Sequence, residues 1–112
     1  MKISARELGK IQVLDCDGPM RTGDSGPSLR EMVHELLEQG HRKFLLNMAK
    51  VPWLDSGGIG EVVASGVSVR KAEGELKLLL SSRARDIFTT AQLAQVLDIH
   101  DSEESAVASF VI

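Results

Sequence analysis

The chain has 112 residues, with 13 Lys and Arg against 16 Asp and Glu, a formal charge of −3, 43% hydrophobic residues and a single cysteine. A chain of this length is expected to form one domain over 1–112 that buries roughly 60–70% of the surface its unfolded form exposes, which argues against disorder and against a disulfide scaffold. Cys16 has no second cysteine to pair with, so a reducing cytoplasm is the compartment that fits. Mild acidity without a dense Lys/Arg stretch, no Tyr, one Trp and three Phe leave little equipment for binding nucleic acid.

The first twelve residues, MKISARELGKIQ, are punctuated by Lys2, Arg6, Glu7 and Lys10 and contain no apolar leader core. The longest purely apolar runs, such as Leu78-Leu79-Leu80, fall far short of the roughly 20 residues a membrane-spanning helix needs, so no direct membrane insertion is expected. Residues 3–8 and 10–15 flank Gly9 and read as a hairpin, with Ile11 and Val13 alternating against polar neighbours. Residues 18–27, GPMRTGDSGP, carry three glycines and two prolines and read as a loop. A helix follows. Leu29, Met32, Val33, Leu36 and Leu37 recur at the spacing of one apolar face, Ser28 and Glu31 form a capping-box pair, and Gly40 stands where a left-handed residue closes a helix.

Residues 43–48, KFLLNM, and 76–80, LKLLL, read as strands whose continuous apolarity requires cover on both faces. Between them a second helix is expected from about Asp55-Ser56 to Glu73, with Ile59, Val62, Val63, Val67 and Val69 turned inward and Gly74 ending it. Its valines and glycines make it a weak helix by intrinsic propensity, so packing must hold it. Residues 83–90 suit a short helix using Ala84, Ile87 and Phe88. Residues 96–99 suit an edge strand, and 103–110 a last helix opened by Asp101 or Ser102. The sum is an α/β fold: a mixed sheet of four to five strands with about four helices packed against it.

Chemistry concentrates in residues 51–61, VPWLDSGGIGE, at the carboxyl end of the first apolar strand, where open α/β sheets place their sites. Ser56 reads either as the N-cap of the second helix or as an exposed serine open to phosphorylation, with the positive end of the helix dipole beside it. Gly58 and Gly60 are the expected points of close backbone approach. Trp53 reads as filler beneath the turn or as an exposed anchor for a partner. Gly57-Gly58-Ile59-Gly60 matches neither phosphate-binding glycine motif, so no nucleotide cofactor is called. His34, His41 and His100 stand at no metal-ligand spacing, so no metal is called either, and Cys16 reads as a small buried hydrophobe. No nucleophile, base and orienting group can be assembled, which argues against an enzyme.

The stretch LLNMAKVPWLDSGGIGEVVAS resembles the signature of STAS domains, found in bacterial anti-sigma factor antagonists and in the cytoplasmic tails of sulphate transporters. Asp55, Ser56, Gly58, Ile59 and Gly60 match its D-S-x-G-[LI]-[GA] turn, and the order of elements agrees over nearly the whole chain. The resemblance implies a phosphoacceptor at Ser56, and the partner-binding surface expected around it takes in Trp53, Asp55, Ser56, Gly57, Gly58, Ile59, Arg21 and Asp24. It implies an anti-sigma factor that is a serine kinase as partner, and a serine phosphatase that resets the switch. The alternative it leaves open is a non-phosphorylated docking subunit of a transporter or of a stress-signalling assembly. A homodimer also stays open. Two residues depart from the pattern: Arg21 stands where many members carry an aspartate, with Asp24 as a substitute from the longer loop, and Gly57 replaces a hydroxyl residue, which is expected to loosen the turn. Arg21 near a phosphoserine would pair with it through charge-assisted hydrogen bonds.

Overall fold

The structure is a computed structural model, and it describes residues 1–23, 28–94 and 97–111. Asp24 and Val96 therefore lie outside the described residues. One five-stranded sheet has the order β1 (Lys2–Leu8), β2 (Ile11–Asp17), β3 (Lys43–Lys50), β4 (Glu75–Leu80), β5 (Asp98–His100). The β1–β2 pair is antiparallel and the other three are parallel. The hairpin loop is Gly9-Lys10, with Gly9 at φ +60°, so Lys10 lies in the turn rather than in the second strand, which runs on to Asp17.

The helices α1 (Leu29–Glu38), α2 (Ser56–Lys71) and α3 (Ser82–Thr90) cover one face of the sheet, and α4 (Glu103–Ser109) covers the other. The expectation of two-sided cover thus holds. Phe44, Leu46, Met48 and Leu78 meet Leu29, Val33, Val62 and Phe88, while Leu45 and Leu79 meet Ala106 and Phe110 on the far side. The α4 side is also held by polar links. Arg6 pairs with Asp15 at 2.6 Å and with Glu103, and the first of these holds the Asp15 carboxyl below its usual range. Lys77 is buried in LKLLL. It pairs with Asp98 at 2.6 Å and lies 5.0 Å from the centre of the Phe110 ring. Among the described residues no helix is long and apolar enough to cross a membrane.

Several details differ from the sequence reading. The second helix buries Gly58, Val62, Ser65 and Val69, at steps of four, three and four, whereas Val67 is exposed. Apolarity pointed to the valines, but the face that approaches the sheet uses small residues to come close, and Val67 lies about 200° around the helix from Ser65. Gly74 is not the left-handed residue that closes this helix. Glu73 takes that conformation at φ +63°, with Glu73 N–H donating to Arg70 O and Gly74 N–H to Val69 O. Gly74 is needed for space, since a Cβ there would lie 2.4 Å from the Arg42 carbonyl oxygen. The α3 helix begins one residue early, capped by Ser81. The cap of α4 is Ser102, and Phe110 is extended and buried beyond the helix end.

Candidate functional site

Beyond the end of β2 the chain keeps company with the segment that leaves β3. Gly18 N–H donates to Lys50 O at 3.0 Å, Met20 N–H to Trp53 O at 3.1 Å, and Asp55 N–H to Met20 O at 3.1 Å. Residues 18–22 and 50–55 thus extend the parallel β2–β3 pairing past the sheet, with a bridge between Met20 and Leu54. Both of these side chains are buried, and they fasten the segment from which α2 starts.

The N-cap of α2 is Asp55 rather than Ser56. The physical reason is reach. Asp55 Oδ1 accepts from Gly58 N–H at 2.9 Å, three residues on, as a cap must, while Ser56 already lies in the first helical position. Ser56 is exposed, and among the described residues its hydroxyl has no hydrogen-bond partner.

Asp55 does more than cap. Its Oδ2 accepts from Thr22 N–H at 2.8 Å, and its Oδ1 also accepts from the Thr22 hydroxyl at 3.2 Å. These donors, the Thr22 N–H first and the Gly58 N–H next, hold the Asp55 carboxyl below its ordinary range against a small opposing effect of burial. Thr22 carried no signal in the sequence, because nothing in local spacing links residue 22 to residue 55.

The glycines of the turn divide by what surrounds them. A Cβ at Gly58 would lie 2.4 Å from the Met20 carbonyl oxygen, so close approach is the reason for Gly58. At Gly60 nothing lies within 4 Å of an added Cβ, so the expectation of close approach fails there. At Gly57 a Cβ would lie 2.0 Å from Thr22 Oγ1. Rather than a loosened turn, Gly57 leaves a space that the Thr22 side chain fills.

Arg21, Thr22, Gly57 and Gly58 line a cleft of about 900 Å³ between the start of α1 and the first turns of α2, which Arg30 and His34 border from α1. Arg21 is exposed. Trp53 is 38% exposed, which sets aside the reading of it as filler. Ile59 is half-buried and packs against the core, and Gly58 is buried. His34 faces solvent and pairs with Glu38 at 2.7 Å. Burial, with Asp15 adding to it, pushes the Cys16 thiol up to about 12, which leaves it inert.

Comparison with known proteins bears on the family and the fold. Residues 2–106 match the family model of the STAS domain. The anti-sigma-B factor antagonist of Bacillus subtilis is 36% identical over 84 residues, which span 74% of this chain and 76% of that protein. An anti-sigma factor antagonist from Mycobacterium paratuberculosis shares the fold with a TM-score of 0.83 at 14% identity, over 96% of this chain and 92% of that one. So does the Bacillus cell fate determinant SpoIIAA in its phosphorylated form, with a TM-score of 0.70 at 18% identity, over 96% and 97%. An exposed serine on a Gly-rich turn, opening a helix at the end of a parallel strand, is thus set in a shared frame, and the chain belongs to the STAS domain family, among the anti-sigma factor antagonists.

Proposed function

We propose that this chain is a phosphorylation-switched antagonist of an anti-sigma factor that is itself a serine kinase. With Ser56 unmodified it binds that kinase and releases a sigma factor for transcription; with Ser56 phosphorylated it does not; a serine phosphatase restores the binding form. The reading puts the protein in the cytoplasm, with Ser56, Trp53, Asp55 and Arg21 at the contact.

The observation that carries it is Ser56 itself: exposed, without a hydrogen-bond partner among the described residues, and in the first turn of a 16-residue helix. A phosphate there adds about −1.5 to −2 of charge to a formal −3 and gains from the positive helix end beside it. In the free protein it is therefore tolerated. Within a contact its hydration must be removed, at a cost of several kcal/mol, while about 2.7 kcal/mol already weakens binding a hundredfold. The switch then requires no change of fold. SpoIIAA, whose fold this chain shares, is known in both an unphosphorylated and a phosphorylated form.

The test is incubation with the serine kinase that co-purifies with the chain, followed by mass spectrometry. One phosphate on Ser56, absent from Ser56→Ala, and loss of kinase binding on modification are expected. Incorporation elsewhere, with Ser56→Ala behaving as wild type, refutes the reading.

A further inference from the structure

The pairing of Thr22 with Gly57 joins two segments that are far apart in sequence and meet beside Ser56. Thr22 holds Asp55 with two donors, its N–H on Oδ2 and its hydroxyl on Oδ1. Asp55 in turn receives the Gly58 N–H at 2.9 Å. The Thr22 hydroxyl sits 2.0 Å from where a Cβ at 57 would be, so one side chain at most fits between the two segments.

We propose that Thr22 is a positioning residue for the turn that presents Ser56, interlocked with Gly57 so that its side chain takes the space residue 57 gives up and clamps the segment after β2 onto Asp55. The clamp deepens the phosphoswitch reading and rests on it for its use, since it sets the backbone of the residue before the phosphoacceptor. It also accounts for Gly57. Where residue 57 carries no side chain, the contact that steadies the turn comes from across the loop instead.

The interlock makes a specific demand. The Thr22 hydroxyl cannot reach Asp55 once residue 57 has a side chain, so Thr22→Ala and Gly57→Ser remove the same contact. Four variants of the full chain test this by NMR: Thr22→Ala, Thr22→Ser, Gly57→Ser and the Thr22→Ala/Gly57→Ser pair. The readouts are the titration midpoint of the Asp55 carboxyl and the exchange rate of the Gly58 amide. Arg21 and Glu61 beside the turn, and Arg30, Glu31 and His34 across the cleft on α1, are unchanged in all of them.

Thr22→Ala and Gly57→Ser should each move the Asp55 midpoint up toward that of an unrestrained carboxylate and speed Gly58 exchange by about three- to tenfold, the factor expected for one hydrogen bond of ordinary net strength. The double variant should match either single one, and Thr22→Ser should behave as wild type. An unmoved midpoint in Thr22→Ala, additive effects in the double variant, or failure of Thr22→Ser to rescue overturns the interlock. Thr22→Ala truncates an exposed side chain, so it decides the matter should a Gly57 variant unfold, with Thr22→Ser as the control that keeps the hydroxyl. Phosphate uptake at Ser56 is scored separately: a wild-type chain that takes none defeats the phosphoswitch, while the titration still judges the clamp.

Discussion

The α1 and α2 helices lie side by side on one face of the sheet and are built in opposite ways. The first is made locally. Five apolar residues form its inward stripe, Leu29 and Val33 buried and Met32, Leu36 and Leu37 partly buried against the core; Ser28 Oγ accepts from Glu31 N–H at 3.1 Å, and its end is closed by Gly40 at φ +97°, with Gly40 N–H on Leu37 O and His41 N–H on Leu36 O. The second is made by its neighbours. Its buried stripe contains a glycine and a serine, its cap is held from another segment, and its end is closed by a glutamate in the left-handed conformation. The helix that presents the candidate site has given up intrinsic propensity for close approach, and the difference teaches where each helix should break.

The largest expected effect falls where α2 touches Met20. Gly58→Ala places a Cβ 2.4 Å from a backbone oxygen that no side-chain rotation can move aside, so it should destabilise the protein by about 2–3 kcal/mol in urea unfolding. A loss under about 0.5 kcal/mol would show that α2 can slide outward, and would break the contrast with α1.

The two helix ends give the next test, with opposite signs. Gly40→Ala should cost about 1 kcal/mol by forcing a side chain into the left-handed region, and Glu73→Gly should gain up to about 1 kcal/mol by removing one from it. Equal signs in thermal melts would refute the reading of both closures. Gly60→Ala should then raise stability by about 0.5–1 kcal/mol, because the added Cβ meets open space and alanine is the better helix former. The same substitution two residues apart, at 58 and 60, thus moves stability in opposite directions.

The smallest effect is a pH dependence at the start of α2. The Asp55 carboxyl is depressed on folding, so its contribution is complete above about pH 4, where an unrestrained aspartate titrates. It is lost as the pH falls through the folded value. The stability gap between wild type and Asp55→Asn should therefore narrow on acidification from pH 7 to 3. A constant gap would show that the Thr22 and Gly58 donors do not favour the ionised form.

Much of this was legible in advance because it is local. The α1 stripe and its Ser28 cap depend on residues three and four apart, and the strands at KFLLNM and LKLLL depend on short apolar runs. The signature turn was also legible, since Asp55, Ser56 and Gly58 are neighbours in the chain. Where a distant segment sets the requirement, local spacing carries no signal. Val67 is apolar yet exposed, and the face toward the sheet instead takes Ser65, whose hydroxyl is satisfied by Glu61 O at 2.8 Å. Lys77 is a charged residue inside an apolar run, and its burial depends on Asp98 and Phe110.

By itself, then, the sequence determined an α/β chain with one capped amphipathic helix, buried strands and a serine-bearing turn of STAS type, because periodicity, capping and motif are properties of neighbouring residues. Only the tertiary structure decided which of Asp55 and Ser56 caps the helix, that Gly58 is held by contact while Gly60 is not, and that Thr22 meets Asp55. Those outcomes depend on two segments more than thirty residues apart lying at hydrogen-bonding distance, and chain connectivity places no such constraint on them until the sheet has formed.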